Sequence, residues 1–140
     1  MLIVFLIGPP ASGKTTYLTT IKNNKIIDDP INFDTDIKPF IFNFDTLYIA
    51  DPNFCNIDIL NSAKELILTH NPEVTFKHLL FNQPYFLLKN NLTERSKADK
   101  RIITVHTLNL YYNNLQNLIQ IFTKNNITYE IITYDRLRNF

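Results

Sequence analysis

The chain opens on an unbroken apolar run, Leu2-Ile3-Val4-Phe5-Leu6-Ile7. A run this short and uniformly apolar fits a strand covered on both faces, as in a parallel sheet. It ends in Gly8-Pro9-Pro10, and residues 14–22 then read as a helix. Lys25-Ile26-Ile27 is a second short strand, stopped by Asp28-Asp29-Pro30. Residues 31–44, interrupted at Pro39, read as a broken helix or an irregular segment. Thr46-Leu47-Tyr48-Ile49-Ala50 is a third strand, stopped by Asp51-Pro52. Residues 57–68 carry helical spacing as far as Asn71-Pro72, and residues 74–81 follow as a fourth strand. Polar and charged residues dominate from Gln83-Pro84 to Arg101. Ile102, Val105, Leu108, Tyr112, Leu115, Ile119 and Phe122 then recur at steps of three and four, one apolar stripe on a long helix. Asn125-Asn126 ends it, and residues 129–134 read as a fifth strand. Strands alternating with helices imply an α/β fold, a largely parallel sheet with helices on both faces.

Composition narrows the function classes. The 140 residues fit a single domain, and 45% hydrophobic against 19% charged residues supplies a core. A net charge of +1 excludes a protein whose whole surface coats a polyanion. Cys55 has no second cysteine to pair with, and His70, His78 and His106 lack zinc-ligand spacing. The opening apolar run is too short to span a membrane and leads straight into a Gly-Pro-Pro loop, so a cytoplasmic protein without membrane association is expected.

The chemistry concentrates where the first strand ends. Gly8-Pro9-Pro10-Ala11-Ser12-Gly13-Lys14-Thr15 matches G-x-x-x-x-G-K-[ST], with a strand before it and a helix after it. Such a loop turns consecutive backbone N–H groups inward at a helix N-terminus and makes a concave anion site. Lys14 is placed to reach β- and γ-phosphates, Thr15 to offer its hydroxyl to Mg²⁺, and Thr16 to meet the α-phosphate. Gly8 and Gly13 are the only glycines in the chain. None is left for a three-glycine dinucleotide fingerprint or for a D-x-x-G switch.

Ligands of open parallel sheets bind beyond the C-terminal ends of the strands. Asp28 and Asp29 follow the second strand there, where an acid could take the proton of an attacking hydroxyl; Asp29 is the preferred candidate. Asp51 follows the third strand in a Walker B-like position, suited to Mg²⁺ or to orienting an acceptor, and an ordinary Asp-Pro turn is the competing reading. Between strand four and the long helix, Lys89, Arg95, Lys97, Lys100 and Arg101 outnumber Glu94 and Asp99. A mobile segment there could close over a nucleotide. Arg95 and Arg101 are its candidate phosphate contacts, and Asn91 and Arg95 its candidate adenine contacts.

The order of these motifs resembles the small P-loop kinases of the polynucleotide kinase and zeta-toxin-like type, as found in short single-domain phage and viral proteins. The resemblance rests on Gly8 to Thr16, on the acids after strand two, and on Ile49-Ala50-Asp51-Pro52-Asn53-Phe54. It extends through Phe81-Asn82-Gln83-Pro84 to Asn90-Asn91-Leu92-Thr93-Glu94-Arg95, which is similar to the family's lid. It implies a three-layer α/β/α sandwich over residues 1–140 with strand order 2-3-1-4-5 and a small lid at 84–101. It further implies a Mg·ATP donor and a hydroxyl acceptor on a nucleotide, a nucleic-acid 5′ end or a small metabolite. Asp28 or Asp29 would then be the base, Asp51 and Asn53 acceptor-side groups, and Arg95 a lid arginine. The competing expectation is an ATP-binding regulatory module without phosphotransfer.

Overall fold

The computed structural model describes residues 1–22, 24–30, 32–41, 43–99 and 103–138, with the backbone alone over 96–99. Its centre is a five-stranded, all-parallel sheet in the order β2-β3-β1-β4-β5, as expected. The strands are β1 Leu2–Ile7, β2 Lys25–Asp28, β3 Thr46–Ala50, β4 Thr75–Phe81 and β5 Glu130–Ile132. The apolar opening run takes the middle of the sheet because it has no polar face to give to water. Phe5 lies in register with Ile49 of β3 on one side and His78 of β4 on the other.

The two faces of the sheet are covered unequally. On one, Ile3, Phe5 and Ile7 join Leu60, Ala63 and Ile67 of α3 (Ile57–His70) and Leu115, Leu118 and Phe122 of α5 (Val105–Lys124). Steps of three and four put each trio on one side of its helix. Ile37, from the short α2 (Phe33–Ile37), and Ile41, beyond the 3-10 turn Lys38–Phe40, fill the same layer. On the other face, Val4, Leu6, Leu79, Phe81 and Ile132 meet Tyr17 and Leu18 of α1 (Lys14–Leu18) and Leu137 of α6 (Tyr134–Leu137). Side chains cap the helix starts: Asn56 Oδ1 accepts from the amides of Asp58 and Ile59, and Thr104 Oγ1 accepts from that of Thr107.

Several elements depart from the sequence reading. The first helix stops at Leu18, because the Thr19 and Thr20 hydroxyls donate back to the carbonyls of Thr16 and Tyr17 and tighten the chain into turns. The polar stretch after Pro84 is a regular helix, α4 (Tyr85–Asp99). It packs Leu88 and Leu92 against Leu108 of α5. The long helix starts at Val105, which is half exposed, and Leu118 takes a core place that the stripe did not include. The fifth strand covers only Glu130–Ile132, and Tyr134 begins α6, capped by Thr133. No helix among the described residues is long and apolar enough to cross a membrane.

Candidate functional site

β1 delivers the chain into the phosphate loop at the C-terminal edge of the sheet. Gly8 is required by close approach: a Cβ there would lie 2.6 Å from Ser12 Oγ and 2.8 Å from Phe81 Cβ. Gly13 is required twice over, by a φ of 103° and by the Leu137 side chain, which a Cβ would strike. Ala11, between them, takes a φ of 64° without being glycine. That conformation costs on the order of 1–3 kcal/mol and persists only where surrounding contacts enforce it.

Those contacts come from residues far away in the chain. Gln83, 3% exposed, donates from Nε2 to the Ser12 carbonyl at 2.8 Å and accepts at Oε1 from the Tyr134 amide at 2.7 Å. The Tyr134 hydroxyl donates to the Ala11 carbonyl at 2.5 Å and accepts from Asn91 Nδ2 at 2.8 Å. Ser12 Oγ is buried without a hydrogen-bond partner, and its backbone is held on both sides.

Lys14 opens α1 with its side chain folded into the loop. Nζ donates to the carbonyls of Gly8 at 2.5 Å and Pro9 at 2.9 Å, and the residue is only 8% exposed. Burial lowers its pKa to about 8, while the carboxylates of Asp29, Asp28 and Asp51 pull it back up. Cys55 lies close by, but burial pushes its thiol up to about 12, so it carries no charge at neutral pH. Burial also raises the Asp51 carboxyl, which the Asn53 amide opposes.

Asp51 caps the 3-10 turn Pro52–Cys55, with Oδ1 accepting from the Asn53 amide at 2.9 Å. The turn reading of Asp-Pro therefore describes its local role. Asn53 in turn accepts, at Oδ1, from the hydroxyl of Tyr111 on α5. The negative field of Asp51 and Asp29 adds to burial in raising the Tyr111 phenol.

A cleft of about 1090 Å³ opens in front of the loop. It brings together Pro10, Ala11, Gly13, Lys14, Thr15 and Thr16 with Asp28, Asp29, Asn91 and Arg95. Leu87, Asn91, Glu94 and Arg95 present one face of α4 to it; Ile103, Thr107 and Tyr111 present one face of α5 and the turn before it. Gly8, Pro9 and Ser12 are the buried residues of the loop, and Asp51 and Asn53 flank Pro52, which lines the cleft, without lining it themselves. Arg101 lies outside the described residues. The Asp29 backbone has a φ of 50°, with its amide tied to the Ala50 carbonyl at 2.8 Å, so the turn after β2 is fixed by the neighbouring strand.

Gln83, Tyr111, Tyr134 and Leu137 were not singled out by the sequence. Thr133, three residues before Arg136, is the one local sign of a helix at Tyr134, since Ser and Thr cap helix starts. Pro84 before an apolar i, i+4 pair, Leu88 and Leu92, is the corresponding sign for α4.

The donor set fits a nucleotide with Mg²⁺. Thr15 is exposed at the head of α1, and Asp28 and Asp29 share its cleft, all hard oxygen donors. No group of three or more His, Cys, Asp or Glu among the described residues could hold a metal by itself. Phosphate oxygens and water would complete the shell, as is usual for Mg²⁺.

No protein-family model and no curated protein matches the sequence. Solved structures do match. One is a chain of the Pnkp1/Rnl/Hen1 RNA repair complex, with a TM-score of 0.69 and 16% identity over 86% of this chain. The match covers 46% of that chain, so the present chain spans about half its length. Another is a de novo designed protein of P-loop NTPase fold, with a TM-score of 0.40 and 16% identity over 86% of this chain and 95% of that one. The likeness to the RNA repair complex chain shows the fold, a three-layer α/β sandwich on a parallel sheet in the order 2-3-1-4-5.

Proposed function

We propose that the protein is a Mg·ATP-dependent phosphotransferase that passes the γ-phosphoryl group to a hydroxyl. The observation that carries this reading is the pairing of a phosphate loop with acids in one cleft. Lys14, folded among the loop carbonyls, shares that cleft with Asp28 and Asp29. A simple anion site would gain nothing from carboxylates facing the anion, because they repel it. A transferase needs both an anion cradle and a group to receive a proton.

In this reading the Gly13 amide and the Lys14 ammonium bind the β- and γ-phosphates, the Thr15 hydroxyl would hold the metal, and Asp51, set back from the cleft wall, would reach it through water. Mg²⁺, when bound, neutralises charge on the phosphate oxygens. Asp29, with Asp28 as its neighbour, accepts the proton of the acceptor hydroxyl. Arg95, exposed on the cleft face of α4, stabilises charge on the transferring group. Asn53 and Asp51 serve the acceptor side.

A label experiment tests the proposal: γ-labelled ATP with Mg²⁺ is offered with RNA and DNA 5′-hydroxyl ends, nucleosides, nucleoside monophosphates and small alcohols. The likeness to a chain of an RNA repair complex puts RNA ends first in that panel. Label on one acceptor, absent with Lys14→Ala, is the expected result. ATP binding without transfer to any acceptor favours a regulatory ATP-binding module. The capping role of Asp51 favours that second reading, since it ties up one carboxylate oxygen. Asp28→Asn with Asp29→Asn separates the two: a transferase loses turnover and keeps nucleotide binding.

A further inference from the structure

The hydrogen bonds beside the phosphate loop form a continuous chain that crosses three elements. Asn91 of α4 donates to the Tyr134 hydroxyl, and that hydroxyl donates to the Ala11 carbonyl. Gln83 holds the next carbonyl, that of Ser12, and is itself held by the Tyr134 amide. Leu137, one turn further along α6, presses on Gly13. So Ala11, Ser12 and Gly13 are each fixed by Gln83 and the 134–137 segment, which border the same cleft.

Peptide geometry gives this a direction. In a planar trans peptide the carbonyl oxygen and the following N–H point to opposite sides. Anchoring the Ser12 carbonyl therefore points the Gly13 amide to the opposite side, and anchoring the Ala11 carbonyl fixes the Ser12 amide, which donates to the Pro9 carbonyl within the loop. Ala11 needs the anchor most, because its left-handed backbone would otherwise relax. Asn91 adds a second dependence. Its amide is engaged with Tyr134, so α4, whose Leu88 and Leu92 belong to the apolar cluster that Ala11 packs against, also reaches the loop by hydrogen bonds through one phenol.

We infer that Tyr134 is a positioning residue, whose hydroxyl sets the backbone of the phosphate loop at Ala11 and couples it to α4 through Asn91. The inference rests on the nucleotide-binding reading above. It assigns Asn91 an indirect role: it acts on phosphate binding through Tyr134.

The test is a double-mutant cycle on the full chain, with Tyr134→Phe, Asn91→Ala and the pair. Binding is measured for MgATP and for inorganic tripolyphosphate. Tyr134→Phe keeps the ring and loses both hydrogen bonds, and is expected to weaken both ligands about tenfold, the size of one well-placed hydrogen bond. Asn91→Ala, at an exposed position, is expected to weaken both about threefold. The double variant should bind no worse than Tyr134→Phe, because phenylalanine has already cut Asn91 off. An equal loss for tripolyphosphate and ATP marks the loop as the seat of the effect.

A loss confined to ATP overturns the inference and makes Tyr134 and Asn91 direct contacts of the base. Losses that multiply in the double variant overturn the coupling. Should Tyr134→Phe not fold, Asn91→Ala with unchanged tripolyphosphate affinity overturns it as well. A wild-type protein that binds neither ligand sinks the nucleotide-binding reading itself. Wild-type binding matched within twofold by Tyr134→Phe sinks the positioning role alone.

Discussion

The two faces of the sheet use different physics. The face under α3 and α5 is an apolar layer closed by long helices, with Phe5, Phe122, Leu115 and Leu60 wholly buried. The face under α1 and α6 is closed by short helices, and its upper edge is stitched by hydrogen bonds from Gln83 and Tyr134. Dispersion and burial are non-directional and accumulate with area, so the first face can supply stability without fixing any one atom. Hydrogen bonds give little net stability, but they set directions. The phosphate loop lies on the second face because its amides must point somewhere in particular.

Substitutions can pull these roles apart. The largest effect is expected from Phe122→Ala, which empties a fully buried ring site that also meets His78 edge-on. It should lower unfolding free energy by about 3–5 kcal/mol, read by urea denaturation, while the folded fraction keeps wild-type nucleotide affinity. Lys14→Ala should do the reverse. Phosphotransfer falls by roughly a hundredfold or more. Stability stays within about 1 kcal/mol of wild type, since relief from burying a charge offsets the lost hydrogen bonds. Equal stability losses in the two variants would end the comparison.

A smaller effect is expected from Gly13→Ala. A Cβ at a φ of 103° against Leu137 should cost on the order of 1–3 kcal/mol and also weaken nucleotide binding, because here strain and geometry coincide. Leu137→Ala in the same chain, which opens space for the new methyl, should restore part of the stability, measured by thermal unfolding.

The smallest effects are in pH. Burial holds Lys14 and Lys64 down to about 8, so between pH 8 and 10.5 the unfolded chain binds more protons and stability climbs as pH rises through that window. Lys14→Ala should remove its share of that climb. On the α3/α5 face, where His78 and Lys64 both meet Phe122, burial, followed by the Lys64 charge, lowers His78 to about 4. Between pH 6.5 and 4 the unfolded chain again takes up the extra proton, so stability falls on acidification. His78→Gln, which keeps a donor for the Thr128 carbonyl, should flatten that fall in denaturant midpoints.

What could be read from the sequence follows the same division. Apolar periodicity reports burial, so β1, β3, α3 and α5 were visible in the spacing of Leu, Ile and Phe. The phosphate loop was visible because Gly8, Gly13, Lys14 and Thr15 act within one short segment. α4 was hidden because few of its side chains reach an apolar layer: Leu88 and Leu92 do, while Phe86 faces solvent. Gln83 and Tyr134 were hidden for a different reason. Their partners Ser12 and Ala11 lie 71 and 123 positions away, and no local pattern marks a glutamine that will reach a loop carbonyl. Asp51 was visible as an acid at a strand end, but its bond to Asn53 depends on a turn geometry that spacing does not reveal.

The bond between Tyr134 and Ala11 also bears on time. A chain emerging from a ribosome presents Ala11 123 residues before Tyr134. Contacts so distant in sequence form late, after nearer ones have closed the intervening loops. The cradle should therefore mature late in folding. A nascent chain that has already made β1 and the whole loop motif would still bind phosphate poorly until β5 docks beside β4 and carries Tyr134 into place. Nucleotide-binding competence would then report on completed folding, so the protein would take up its ligand only once the sheet is finished.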